Sequence, residues 1–173
     1  RKNAIDGLRE LGRRAHAQGA DTFVVLDVHW IVNQGFHVNA KARHEGTFTS
    51  HELPHMLSGM DYGYDGDPEL AHALRDAVAG AGFAAMAHET PHLGCEYATL
   101  IPMHLMNEAA DIRVVPVAAN QFASIEEGRA MGAAMAEAIK ASDRKVALLA
   151  SGSLSHQFWP NAVSQQGLTS VNT

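Results

Sequence analysis

The stretch Thr22-Phe-Val-Val-Leu-Asp-Val-His-Trp30 constrains this chain most. Its first half, Phe23 to Leu26, is an unbroken apolar run rich in β-branched residues. That is the pattern of a strand buried on both faces in a parallel sheet. The run then stops being apolar and presents Asp27 and His29. Residues two apart on a strand share a face, so Asp27 and His29 are expected to point one way, with Val28 opposite. Ligands of open α/β sheets bind beyond the carboxyl ends of the strands. This strand carries a histidine to that edge.

A second stretch repeats the arrangement. Lys145-Val-Ala-Leu-Leu-Ala150 reads as another short strand and runs into Ser151-Gly-Ser-Leu-Ser-His156, a small-residue turn ending in a histidine. If the two strands are parallel, His29 and His156 leave one sheet at the same edge.

Between them, helix and strand signals alternate. Residues 2–18 read as a helix with the apolar stripe Ala4, Ile5, Leu8, Leu11 and Ala15. Asn33 to Gly66 reads as a hairpin made of the alternating pieces 36–39 and 47–49, then irregular loop. Such long excursions on α/β scaffolds usually serve the site. Asp61 to Gly66 reads as a turn. Asp67-Pro68 is an N-cap followed by a first-turn proline, and opens a helix closed by Gly80 and Gly82. A strand at 83–87, a helix ending near Asn107 and a strand at 112–118 follow, with Pro116 hinting at an edge or a bulge. Ser124-Ile-Glu-Glu127 is a capping box before a helix with Met131, Met135, Ala138 and Ile139 inside. The expected fold class is therefore α/β, a largely parallel central sheet flanked by helices, with a hairpin and loop insertion. The whole chain reads as one catalytic domain, incomplete at both ends.

Composition narrows the function classes. The 173 residues carry a net charge of −6 with no basic face for nucleic acid, and no apolar run has the roughly 20 residues of a membrane helix. The lone Cys95 excludes an internal disulfide, and with no signal peptide in view the expected compartment is cytoplasmic. Eleven histidines against three tyrosines and two tryptophans is a skewed ratio. Most read as surface residues.

His29 is either a core histidine satisfied by the backbone or a metal ligand oriented by a neighbouring carboxylate. His156 is a ligand, a general acid/base or a helix cap. Ser153 and Ser155 raise a Ser-His hydrolase, but no Gly-x-Ser-x-Gly elbow is present. His51 and His55 are four apart, yet Pro54 disfavours a helix through them, which leaves loop positions at the mouth of the site. His37, His44, His92 and His104 are individually uninformative, and Tyr62 and Tyr64 read as packed turn residues.

Leu26-Asp-Val-His-Trp30, Ser50-His-Glu-Leu-Pro-His55, Glu96-Tyr-Ala-Thr-Leu-Ile-Pro-Met103 and Ala150-Ser-Gly-Ser-Leu-Ser-His-Gln-Phe158 fall in a telling order and spacing. Through them the chain resembles the class III extradiol ring-cleavage dioxygenases over essentially its whole length. Within that family it is most similar to the branch acting on 3,4-dihydroxyphenylacetate. The resemblance implies one non-haem Fe(II) held by two histidines and a carboxylate, and opening of a catechol by O2 to a semialdehyde acid. His29 matches the second iron histidine and His156 the acid/base histidine, while Tyr97 and Ser155 are the residues expected against substrate. The first histidine and the glutamate ligand are expected before Arg1 and after Thr173. Where several branches carry Asp-His this chain has Glu96-Tyr97, so a second proton-handling histidine is absent there. The partners implied are a catechol and O2, with no nucleic acid or membrane and with a homo-oligomer as the expected assembly. The competing reading is a non-catalytic binding protein on the same fold with a decayed metal site. Retention of both His29 and His156 argues against decay.

Overall fold

In the computed structural model, which describes residues 2–153, four helices and seven strands follow one another. In chain order they are α1 (Lys2–Ala17), β1 (Thr22–Val32), β2 (Phe36–Asn39), β3 (Arg43–Phe48), β4 (Met60–Asp65), α2 (Pro68–Gly80), β5 (Ala85–His88), α3 (Tyr97–Met106), β6 (Arg113–Asn120), α4 (Ile125–Ala141) and β7 (Val146–Ser151). The apolar run of β1 lies where its pattern demands, inside the sheet. Phe23, Val24 and Val25 are fully buried, with β6 on one side and β7 on the other, both parallel to β1.

The five-stranded sheet has the order β5-β2-β6-β1-β7. Three of its four pairings are parallel; only β2 against β6 is antiparallel. The fold class is therefore α/β with a mostly parallel sheet between helices. Successive residues of β1 enter opposite cores, as strand alternation requires. Val24 packs with Leu70, Leu74 and Val78 of α2 and Met135 of α4. Phe23 and Val25 pack with Leu100, Met103 and Met106 of α3. Among the described residues no helix is long and apolar enough to cross a membrane.

The caps predicted from sequence are present. Asp67 accepts from the Leu70 N–H at the start of α2, with Pro68 as first helical residue. Ser124 and Glu127 form the reciprocal capping box of α4. Gly82, with φ of 92°, follows α2 in the left-handed region that side chains avoid.

Several local expectations need correction. Residues 36–39 do not pair with 47–49. As β2 they enter the main sheet between β5 and β6, and the hairpin is instead β3 with β4, a separate two-stranded sheet. The segment read as a turn at 61–66 is mostly strand β4. Pro116 does not mark an edge, because β6 lies between β1 and β2. Toward β2 that strand makes one bridge, Val38 to Val117, so few ladder bonds exist on that side for the ring to disrupt. On α1, Leu11 is largely exposed and Gly12 is buried. A Cβ at Gly12 would collide with the backbone of Met106. The glycine is what lets α1 and α3 approach so closely.

Candidate active site

The carboxyl end of β1 is a bulge built around one buried carboxylate. β1 follows β6 in register up to Asp27 beside Ala118, and then Ile31 lies beside Ala119. Residues 28–30 are thus extra relative to β6. Their backbone needs other partners, and Asp27 supplies them. Its Oδ1 accepts from the N–H groups of His29 (2.8 Å) and Trp30 (2.9 Å), while the Thr99 hydroxyl donates to its Oδ2 (2.6 Å). The residue is fully buried. Thr99 sits in the first turn of α3, whose N-terminal end favours a negative charge.

The Asp27 carboxylate therefore fixes the main chain of the His29 turn. It makes no bond to the imidazole, which corrects the expectation that it would orient the ring. His29 and Asp27 do turn the same way, both meeting the start of α3. Tyr97 lies with its hydroxyl 2.5 Å from His29 Nε2 and its ring centroid 3.9 Å from the imidazole. Glu52, on the loop joining β3 to β4, completes the group. Its Oε2 accepts from the Tyr97 hydroxyl at 3.2 Å and lies 3.8 Å from His29 Nδ1. Burial, with the Glu52 charge beside it, pushes the Tyr97 phenol up to about 12, so it stays protonated. Burial and the Asp27 charge raise the Glu96 carboxyl.

The second strand behaves as expected. β7 runs beside β1 with Ser151 next to Asp27. A Cβ on Gly152 would lie 3.1 Å from Val28 Cγ1, so Gly152, just past β7, is packed against the His29 bulge. His156 and Ser155 lie outside the described residues.

The remaining histidines separate into different roles. His51, His55, His92 and His104 are exposed. His37 and His88 bond to each other at 2.8 Å, with Trp30 edge-on to His88, and so form a pair of their own. His44 was unreadable from sequence and proves to be core: it is 1% exposed, with Nε2 donating to the Val114 carbonyl at 2.9 Å. Burial lowers its pKa to about 4. The unfolded chain then binds that proton more readily. This contribution to stability is intact above pH 6.5 and falls by about 3 kcal/mol on the way down to pH 4. Urea unfolding at neutral and mildly acidic pH should show that loss. His44→Gln, which keeps a donor for Val114, should shrink it.

Glu52 is the residue that sequence reasoning passed over. It sits between two histidines in a loop with no regular pattern, and only the fold brings it to His29. Among the described residues, no three His, Cys, Asp or Glu side chains come together to hold a metal ion. The described residues thus fit a metal as the source of one imidazole ligand, presented from a fixed turn with a carboxylate beside it.

A histidine thus stands at a bulged strand end, beside the exit of a parallel strand. Residues 1–170 match the catalytic LigB subunit of aromatic ring-opening dioxygenase, and the chain belongs to that family. It is 40% identical over 173 residues to the 3,4-dihydroxyphenylacetate 2,3-dioxygenase of Escherichia coli, covering 98% of this chain and 62% of that protein. It is 31% identical to the 2-aminophenol 1,6-dioxygenase beta subunit of Pseudomonas sp, covering 79% of this chain and 47% of that subunit. The chain thus spans about half to three fifths of the length of these relatives. An uncharacterized protein of Escherichia coli K12, solved as a crystal structure, shares the fold with a TM-score of 0.60 at 21% identity, over 88% of this chain and 54% of that one.

Proposed function

We propose that this chain forms the core of an Fe(II)-dependent extradiol dioxygenase that opens a catechol ring with O2. The substrate we favour is 3,4-dihydroxyphenylacetate, converted to a ring-opened semialdehyde acid. The observation that carries the reading is the placement of His29. It is held at the carboxyl end of a central strand by a buried carboxylate, in a chain whose relative of known substrate is 40% identical over 98% of its length.

His29 would be one ligand. Bound Fe(II) would supply adjacent open positions for a chelating catechol and for dioxygen. Asp27 keeps the His29 turn in place through both backbone N–H bonds. Tyr97, protonated at neutral pH, is positioned to donate to a substrate or oxygen atom near Nε2. His156 accepts a proton from a catechol hydroxyl on binding and returns one as the oxygen–oxygen bond breaks. A free imidazole with a pKa of about 6.5 can do both near neutrality. Ser155 stands beside His156 in sequence and is assigned to substrate contact. Both oxygen atoms end in the product, and the ring bond that breaks lies next to one hydroxyl.

The test uses the full-length protein, reconstituted anaerobically with Fe(II) and mixed with 3,4-dihydroxyphenylacetate and air. One O2 consumed per catechol, with a yellow product, is expected. His156→Ala should keep its iron and lose about 10²- to 10⁴-fold in turnover, the usual scale of a removed acid/base group. Bound iron without turnover on any catechol would refute the substrate class. Absence of both iron and turnover would favour a binding protein on this fold.

A further inference from the structure

We infer that His37 and His88 form an acid-release latch on strand β5. The pair accepts one proton with its ring-to-ring bond intact. A second proton breaks that bond and loosens β5 from β2. The latch goes beyond the dioxygenase reading and does not depend on it, because it uses neither His29 nor a metal.

Strand β5 is where the sheet needs such a device. It is four residues long and, among the described residues, forms the edge beyond β2, which is itself four residues long. His37 lies beside Met86 and Asn39 beside His88, so the two histidines share one face of the strand pair. Their facing nitrogens, His37 Nδ1 and His88 Nε2, are 2.8 Å apart. The ring planes differ by only 23° and the centroids are 5.0 Å apart, so the rings meet end to end. Both residues are partly exposed, and protons reach them from solvent.

One backbone carbonyl fixes the proton count. The Gln34 oxygen lies 3.1 Å from His37 Nε2, and a carbonyl only accepts, so Nε2 carries a hydrogen. In the neutral ring His37 Nδ1 is then a bare lone pair, and the proton between the rings belongs to His88 Nε2. His88 Nδ1 is left as the one lone pair outside the bridge. A first proton goes there. The bridge survives and gains charge assistance, whichever ring then holds the shared proton. A second proton must take the lone pair inside the bridge. The rings are then two cations, each with an N–H aimed at the other.

The neighbouring groups do not offset that second charge. Trp30 of β1, with its ring centroid 5.7 Å from that of His88, is neutral, as is Asn39 of β2. Lys41 is itself a cation, held by the Pro91 and Leu93 carbonyls. Glu89, next in sequence to His88, bonds His72 of α2 at 2.6 Å, and Arg75 stands beside His72. Burial, and after it the charge of His37, lower the His88 pKa, the direction that two like charges on one bridge require. Two free imidazoles of the unfolded chain, with pKa values of about 6.5, both bind protons in mild acid, whereas the closed latch binds one. Acid therefore weakens the closed state, by up to about tenfold in its equilibrium constant per pH unit. At about pH 8, where free imidazole is neutral, the effect is absent.

The test uses metal-free, full-length protein taken from about pH 8 to about pH 4.5. Ring ¹⁵N shifts of His37 and His88 report the protons. Hydrogen exchange of the Phe36 and Ala40 amides, corrected for the intrinsic pH dependence, reports the strand, because these amides donate to the Ala84 and His88 carbonyls at 2.8 Å. Wild type should take its first proton at His88 Nδ1 with protection unchanged. The second should enter at least about one pH unit lower, and protection should fall with it by about tenfold or more, the worth of a charge-assisted bond. His37→Gln keeps an acceptor for His88 Nε2–H and cannot titrate. In that protein His88 should titrate in one step and both amides should stay protected. His88→Gln is the reciprocal variant and should leave His37 titrating in one step, again with protection kept. Two wild-type rings that titrate independently with a common midpoint would overturn the latch. So would wild-type amides that stay protected through the second step, or that lose protection equally in His37→Gln.

Discussion

Full-length protein carrying His29→Ala is expected to lose its iron and at least about 10³-fold in ring-cleaving turnover, while remaining folded. Metal-assisted charge stabilisation is worth several kcal/mol, and each 1.4 kcal/mol or so is a factor of ten in rate. The fold should hardly notice. The imidazole is partly exposed, at 19% of its side chain, and sits on a turn whose backbone is held by Asp27 rather than by the ring. The one short side-chain bond lost is that to Tyr97, a cost of about 1 kcal/mol. Iron content, oxygen uptake and thermal midpoint should therefore dissociate: the first two collapse and the third barely moves. A variant that keeps iron and turnover would remove His29 from the site.

Asp67→Ala should do the opposite, costing about 2–3 kcal/mol of stability because it removes a helix cap and two charge-assisted hydrogen bonds. Asp67 is 3% exposed and serves three elements. It caps α2 through the Leu70 N–H at 3.1 Å and receives Arg144 Nε at 2.7 Å and an Arg113 guanidinium nitrogen at 3.1 Å. Arg113 opens β6 and Arg144 precedes β7, so one carboxylate ties a helix start to two strands. Alanine removes the cap and the carboxylate the two arginines share, leaving Arg144 with Glu69 and Asp143 and Arg113 with Asp21. Burial alone would push the Asp67 carboxyl up; the Arg144 hydrogen bond, the Leu70 N–H and the Arg113 charge outweigh it and hold it below the usual carboxylate range. Because the folded-state pKa is depressed, this stabilisation is complete above the ordinary carboxylate pKa of about 3.9. It is lost as pH falls through the lower folded value. Thermal melts should show a midpoint lowered by roughly 10 °C at neutral pH, and a difference between variant and wild type that narrows in strong acid. An unchanged midpoint would mean that Asp21, Glu69 and Asp143 alone suffice for the two arginines.

Much of this frame was legible in the sequence because its signals are local and redundant. Phe23 to Leu26 can be satisfied only inside a sheet, and Asp67-Pro68 and Ser124 to Glu127 announce helix starts by their own hydrogen bonds. What failed was pairing over distance. The partners of Phe36–Asn39 are Ala85–His88 and a residue of β6, nearly fifty and eighty residues away, and nothing in 36–39 names them. The β4 error is different, since its signal was present. Met60, Tyr62 and Tyr64 face inward while Asp61 and Asp65 are exposed, a clean alternation that Gly63 and the flanking aspartates masked. Glu52 carried no signal, because its contacts with Tyr97 and His29 exist only once the β3–β4 loop meets α3. Asp27 was singled out correctly but for the wrong bond: alternation gives the direction of a side chain and not the atom it reaches.

The attachment of that carboxylate to Thr99 has a consequence for how this protein fails. The histidine turn is fastened to a ten-residue helix as well as to the sheet that delivers it. That helix contains Pro102, which cannot complete an internal hydrogen bond. Local opening costs less than global unfolding. A loosening of α3 on warming would release Asp27 from Thr99 and disturb the His29 turn while the five strands remain paired. The proposed activity would then melt before the fold, at a temperature set by one short helix.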